Sequence, residues 1–165
     1  MSDFAWGFVH TEKDLQELSF CVQRIALNNG FALKTGYNVF NYLLENFIDS
    51  FRLDVSKNKG ALPFEVISSP LDDNTENLLT GDPLTGCEIV ECLLSRMKRI
   101  EAFIRECLQI GGVTKIELNI NIDFAELNNY NQYTILSEDF ADLMLVFYKK
   151  CENSTPSVRF LFEEE

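Results

Sequence analysis

The longest regular alternation in the chain runs through Ile116, Leu118, Ile120, Ile122 and Phe124, interleaved with Glu117, Asn119, Asn121 and Asp123. A period of two over that length predicts a strand with one face on a core and the other in water. Near the start, Phe4, Trp6 and Phe8 alternate with Ala5, Gly7 and Val9. Apolar residues at both parities predict a short strand buried on both faces. Val158, Phe160 and Phe162 predict a last strand, and Tyr130 to Leu136 reads as a hairpin partner returning after the turn-rich Glu126–Asn129.

Helical spacing fills the intervals. Leu15, Leu18, Val22 and Ile25 trace one stripe of a helix opened by Thr11 as N-cap and closed at Asn29-Gly30. Phe40, Leu43, Leu44, Phe47, Ile48 and Phe51 cover a wide arc of a second, largely buried helix over about Tyr37 to Phe51. Leu93, Met97, Ile100, Ile104 and Cys107 mark a long helix from Pro83 or Gly86 to Gln109, stopped by Gly111-Gly112. Ser137 caps a fourth, with Phe140, Leu143, Met144 and Phe147 on its apolar side. Residues 54–86 hold three of the four prolines together with Gly60 and Gly81, and read as a long irregular loop interrupted by a short strand around Phe64–Ile67.

The order β-α-α-loop-α-β-(β)-α-β predicts one α+β domain spanning 1–165. Its antiparallel or mixed sheet of about four strands packs against about four helices. At 165 residues and 46% hydrophobic composition, such a domain needs no disulfide or metal to hold its core.

Charge adds a second pattern. The net charge is −12, and two windows without Lys or Arg carry the excess. Gly60–Ser95 contains Glu65, Asp72, Asp73, Glu76, Asp82, Glu88 and Glu91; Ile116–Tyr148 contains Glu117, Asp123, Glu126, Glu138, Asp139 and Asp142. Such a surface repels nucleic acid and anionic lipid and draws in a basic partner. No secretory leader and no apolar run of membrane-spanning length is visible, so the expected location is the cytoplasm. Cys21, Cys87, Cys92, Cys107 and Cys151 are then expected as reduced core thiols.

Catalytic constellations are missing. His10 is the one histidine, no phosphate-binding or nucleophile-elbow motif occurs, and no Cys-x-x-Cys pair is present for zinc. The oxygen-rich run Asp72-Asp73-Asn74-Thr75-Glu76 lacks the glycine and the distal Glu of a calcium loop, with Asn77 and Pro83 in their places. Neither an enzymatic activity nor a metal or other cofactor is expected.

Size, acidity and mixed α+β order, with the stretches Asp72–Glu76, Ser137-Glu138-Asp139 and the strand Ile116–Phe124, make the chain resemble immunity proteins of bacterial contact-dependent and related polymorphic toxin systems. The resemblance is one of class over the whole chain. It implies a monomer in a one-to-one complex with a basic, nuclease-type toxin domain, whose active or substrate-binding surface it covers. Two acidic groups are the candidate contacts: Asp72, Asp73, Glu76 and Asp82 in the loop, and Asp123, Glu126, Glu138, Asp139 and Asp142 around the strand end and the following helix. Tyr130, Tyr133, Asn119 and Asn121 could add polar and aromatic contacts. The alternative is a small acidic secretion chaperone or adaptor, a homodimer holding an effector segment on grooves of the Phe-rich second helix or the 87–108 helix.

Overall fold

The structure is a computed structural model and describes residues 5–33, 50–54, 60–67, 81–83, 85–134, 140–150 and 157–163. The chain runs through β1 (Ala5–Thr11), α1 (Leu15–Asn28), β2 (Ala32–Leu33), β3 (Ser50–Leu53), β4 (Ala61–Ile67) and α2 (Gly86–Leu108). It continues through β5 (Val113–Ile120), a 3-10 turn (Phe124–Asn129), β6 (Gln132–Thr134), α3 (Phe140–Lys150) and β7 (Val158–Glu163). The class is α+β, as expected. The counts differ: the described residues form a mixed seven-stranded sheet, ordered β2-β3-β4-β1-β5-β7-β6, and three α-helices.

The register explains the layering. Phe64, Gly7, Leu118 and Phe160 lie side by side across β4, β1, β5 and β7, as do Val66, Ala5, Ile120 and Val158. Cross-strand partners share a face, and these residues are buried. The helices pack on this side. Phe103 of α2 meets Phe51 and Phe64 at ring-centroid distances of 5.1 and 5.5 Å, and Phe140 of α3 meets Phe160 at 5.0 Å. α2 touches both α1 and α3 and so forms the middle of the helical layer.

Local sequence sets several boundaries. Thr85 and Glu88 close a full capping box at the start of α2: Glu88 N–H donates to Thr85 Oγ1 at 3.2 Å and Thr85 N–H donates to Glu88 Oε2 at 2.8 Å. Gly112, at φ +90, turns α2 into β5 as the Gly-Gly stop predicted. Pro63 sits inside β4 without breaking it. Its carbonyl accepts from Asp54 N–H just beyond β3, so the missing N–H faces the end of a strand rather than the middle of a ladder.

Four readings are corrected. Thr11 does not cap α1: it ends β1, with its hydroxyl accepting from Lys13 N–H, and Asp14 caps the helix by accepting from Gln16 N–H at 2.7 Å. Most of the predicted second helix, residues 37–49, lies outside the described residues, but its final Ser50-Phe51 belongs to strand β3. The strand within 54–86 runs from Ala61 and pairs with both β1 and β3. β6 is no hairpin partner of β5; it pairs parallel to β7 at the sheet edge.

Candidate functional site

The described helices all pack on one side of the sheet, and none of them covers the other side. Across it the register sets a row of Arg52, Glu65, Trp6, Asn119, Arg159 and Gln132, and beside it a row of Pro63, Phe8, Glu117, Leu161 and Thr134. Down its centre, on β1, run Trp6, Phe8 and His10, all half-buried. Their rings follow one another at 6.0 and 6.2 Å. This aromatic stripe was missed from the sequence, where apolar residues at both parities read as burial on both faces.

His10 lies within the stripe. Burial and then the charge of Lys115 lower its pKa below the ordinary imidazole value, against a smaller opposing effect of Glu117. The ring is therefore neutral at neutral pH, and the stripe is aromatic without being cationic.

The charged neighbours are mostly paired. Arg52 and Glu65 form an ion pair, and Arg159 Nη2 lies 3.3 Å from Glu117 Oε1. Two carboxylates from the base-free windows thus have guanidinium partners delivered by strand pairing. The negative surface is narrower than the sequence windows suggest.

Asp123 and Glu126 differ. Both are exposed, in the 3-10 turn that follows β5, and neither has an ion-pair partner among the described residues. The turn has a local cause: Asn121 takes a positive φ of 51°, ending the strand, and Asp123 caps the turn by accepting from Ala125 N–H. It is then tied at two points to the side of the sheet away from the described helices. Trp6 Nε1 donates to Ile122 O at 2.8 Å, and Arg159 Nη1 donates to Leu127 O at 3.0 Å. The turn that carries the two carboxylates is held on the same side of the sheet as the aromatic stripe.

The other expected contacts are distributed as follows. Asp82 is exposed ahead of α2, where Glu88 and Glu91 are also exposed. Asp142 is exposed on α3, which packs on the helical side of the sheet, so it does not share a face with Asp123 and Glu126. Asp72, Asp73, Glu76, Glu138 and Asp139 lie outside the described residues. Tyr130 is half-buried, and Tyr133 and Asn121 are exposed.

Asn119 contradicts the expectation of an exposed contact. Its residue exposure is 0%, and among the described residues neither its side-chain nitrogen nor its oxygen has a hydrogen-bond partner. It lies between Trp6 and Arg159 in the row, next to the two side chains that tie the turn down. A buried unpaired amide is costly, whereas an apolar side chain of similar shape carries no such penalty. Asn119→Val is therefore expected to raise stability by about 1–2 kcal/mol in a urea titration; a drop in midpoint would show that the amide is paired.

Other chemistry finds little footing. Among the described residues no group of three His, Cys, Asp or Glu side chains could hold a metal ion, and no helix is long and apolar enough to cross a membrane. Burial pushes the Cys107 thiol far above its ordinary range, so it stays protonated in the core. Cys87 is exposed rather than a core thiol. No protein-family model, curated protein or solved structure matches the chain.

Proposed function

We propose that the chain is an acidic binding protein that neutralises a basic partner, acting as an immunity protein that covers the active or substrate-binding surface of a cognate nuclease-type toxin domain. The observation that carries this reading is the side of the sheet away from the described helices. An aromatic stripe of Trp6, Phe8 and His10 lies on the same side as the turn that carries Asp123 and Glu126, both exposed and without an ion-pair partner among the described residues. Protein interfaces commonly join an aromatic centre to a charged rim, the centre setting how long the complex lasts and the rim how fast it forms. A surface that binds phosphate backbones must carry bases, so a carboxylate rim complements it and repels the nucleic acid.

The chaperone alternative loses one of its surfaces. The apolar stripe expected to form a groove on the 87–108 helix is buried in the core, through Ile89, Leu93, Met97, Ile100, Ile104 and Cys107. Phe51, the end of the other proposed groove, is buried in β3.

The test uses a basic toxin domain encoded beside this chain, followed by stopped-flow and surface-binding kinetics. Reversing Asp123 and Glu126 together to Lys is expected to slow association about tenfold at low salt and to flatten its salt dependence. Phe8→Ala is expected to act on dissociation instead, weakening the complex by about 1–3 kcal/mol. Unchanged association at low salt for the reversed chain would remove the acidic rim from the binding surface.

A further inference from the structure

The outer face of α3 carries a different kind of pattern. Phe140, Ala141, Met144 and Tyr148 are buried, while Asp142, Val146, Lys149 and Lys150 are exposed. At about 100° per residue these four exposed positions share an arc of roughly 100°. Val146, at 46% exposure, occupies its middle, with the half-buried Leu143 and Leu145 on either side. The apolar surface extends onto the neighbouring sheet edge, where the ring of Phe147 lies 5.4 Å from that of Tyr133. Tyr133 is 39% exposed and sits in β6, an edge strand whose three residues are all exposed. Apolar surface bounded by charge suits contact with another protein where it is contiguous.

The order of charges along the face identifies the occupant. Read from the N-terminal end it is acid, apolar, base: Asp142, then Val146, then Lys149 and Lys150. Turned end for end, the same face becomes its own complement. Two copies of α3 lying antiparallel about a two-fold axis at Val146 put Asp142 of each opposite Lys150 of the other, with Lys149 close by. Val146 then meets its own copy across the axis. A parallel arrangement would set Asp142 against Asp142 and is excluded by repulsion. A two-fold axis requires this kind of self-complementary patch. We propose that the chain forms a homodimer through the outer face of α3, with the charge order fixing the antiparallel register.

A helix of 11 residues spans about 16 Å, so this seam is smaller than the ~1,600 Å² of a standard stable interface. The dimer is accordingly reversible and concentration-dependent. It also leaves the carboxylates of Asp123 and Glu126 free, because the turn that carries them is held on the opposite side of the sheet. Dimerisation is therefore independent of the binding function proposed above.

Helix-dipole stabilisation would also favour an acid at the start of α3 and bases at its end, and the experiment separates the two roles. Sedimentation velocity at low salt, from about 1 μM to 1 mM, is run on the full chain and three variants. The wild-type chain is expected to shift from monomer to dimer, and Val146→Glu, at a position already in contact with solvent, to lose at least about tenfold in association. Asp142→Lys and the Lys149→Glu/Lys150→Glu chain are each expected to be weakened alone, because each homodimer then opposes like charges. Mixed in equal amounts, they are expected to form a heterodimer of near wild-type affinity, since the antiparallel register restores both opposite-charge pairs. A purely dipolar role for these residues predicts no such recovery. A wild-type chain that stays monomeric throughout overturns the proposal and leaves the face to a different protein. A Val146→Glu chain that dimerises normally, or a mixture no stronger than its parts, overturns it equally.

Discussion

Gly7→Ala is expected to cost the fold about 3 kcal/mol or more, lowering the melting temperature by roughly 6–12 °C for a chain of this size. Gly7 lies in the middle of β1, between Phe64 of β4 and Leu118 of β5. A Cβ there would fall inside the van der Waals shell of the Glu117 carbonyl oxygen, 2.9 Å from its carbon and 3.0 Å from Phe64 Cζ. The first obstacle is backbone, which cannot rotate aside as a side chain can. Relief requires β1 and β5 to separate, and their ladder holds the centre of the sheet together. Gly86→Ala is the control: nothing lies within 4 Å of a Cβ there, and the residue opens α2, so a gain of about 0.5–1 kcal/mol is expected. Thermal and urea denaturation of both variants read the contrast. Equal midpoints would mean that β1 and β5 do not approach as closely as described.

The second large effect is expected at Phe103. Its ring stands among Phe31, Phe51 and Phe64 at centroid distances of 6.0, 5.1 and 5.5 Å, and it is 1% exposed. Phe103→Ala removes the side chain through which α2 grips β3 and β4 together, at an expected cost of about 3–5 kcal/mol. A double-mutant cycle with Phe64→Ala should show coupling of about 0.5–1.5 kcal/mol, the increment typical of aromatic pairs beyond their buried area. Strict additivity would assign the cost to cavity formation alone. The abundance of phenylalanine, 14 residues in all, has part of its explanation in this cluster and in the second one around Phe140, Phe160 and Phe162.

Which parts of the fold could be read in advance follows from the range of the forces that make them. β5 and the body of α2 were legible because periodicity and the Gly-Gly stop lie within the segment itself: Ile116, Leu118 and Ile120 face the core and Gly112 ends the helix, whereas the alternation read on to Phe124 overran a strand that stops at Ile120. The cap of α1 was misplaced because Thr11 looks like a cap in isolation. In the fold its hydroxyl is also engaged with Gly112 O, 101 residues away, while β1 runs on to reach it. Phe51 continued a helical stripe on paper, yet Phe51-Arg52-Leu53 has the two-residue period of a strand, and pairing with β4 decides in favour of that period.

The candidate site was less legible for the same reason. Trp6, Phe8 and His10 alternate plainly, but which parity faces the helices depends on where α1, α2 and α3 pack. Glu65 and Glu117 sat in windows without bases, yet their partners Arg52 and Arg159 lie 13 and 42 residues away in sequence. Asn119 looked like one more solvent-facing residue between Leu118 and Ile120. An asparagine in an alternating strand is assigned to water by its neighbours alone, yet Asn119 is buried between Trp6 and Arg159, the two side chains that hold the turn.

β7 lies between β5 and β6, although it follows both of them in the sequence. On the ribosome, Ile116, Leu118 and Ile120 emerge tens of residues before the strand that closes their flank. Throughout that interval β5 has an unpaired edge, and β6 has no neighbour to hold it. The nascent chain must shield this raw border, or avoid company, until residue 163 is clear of the exit tunnel; a stall just before that point would leave an open sheet ready to recruit another unfinished copy.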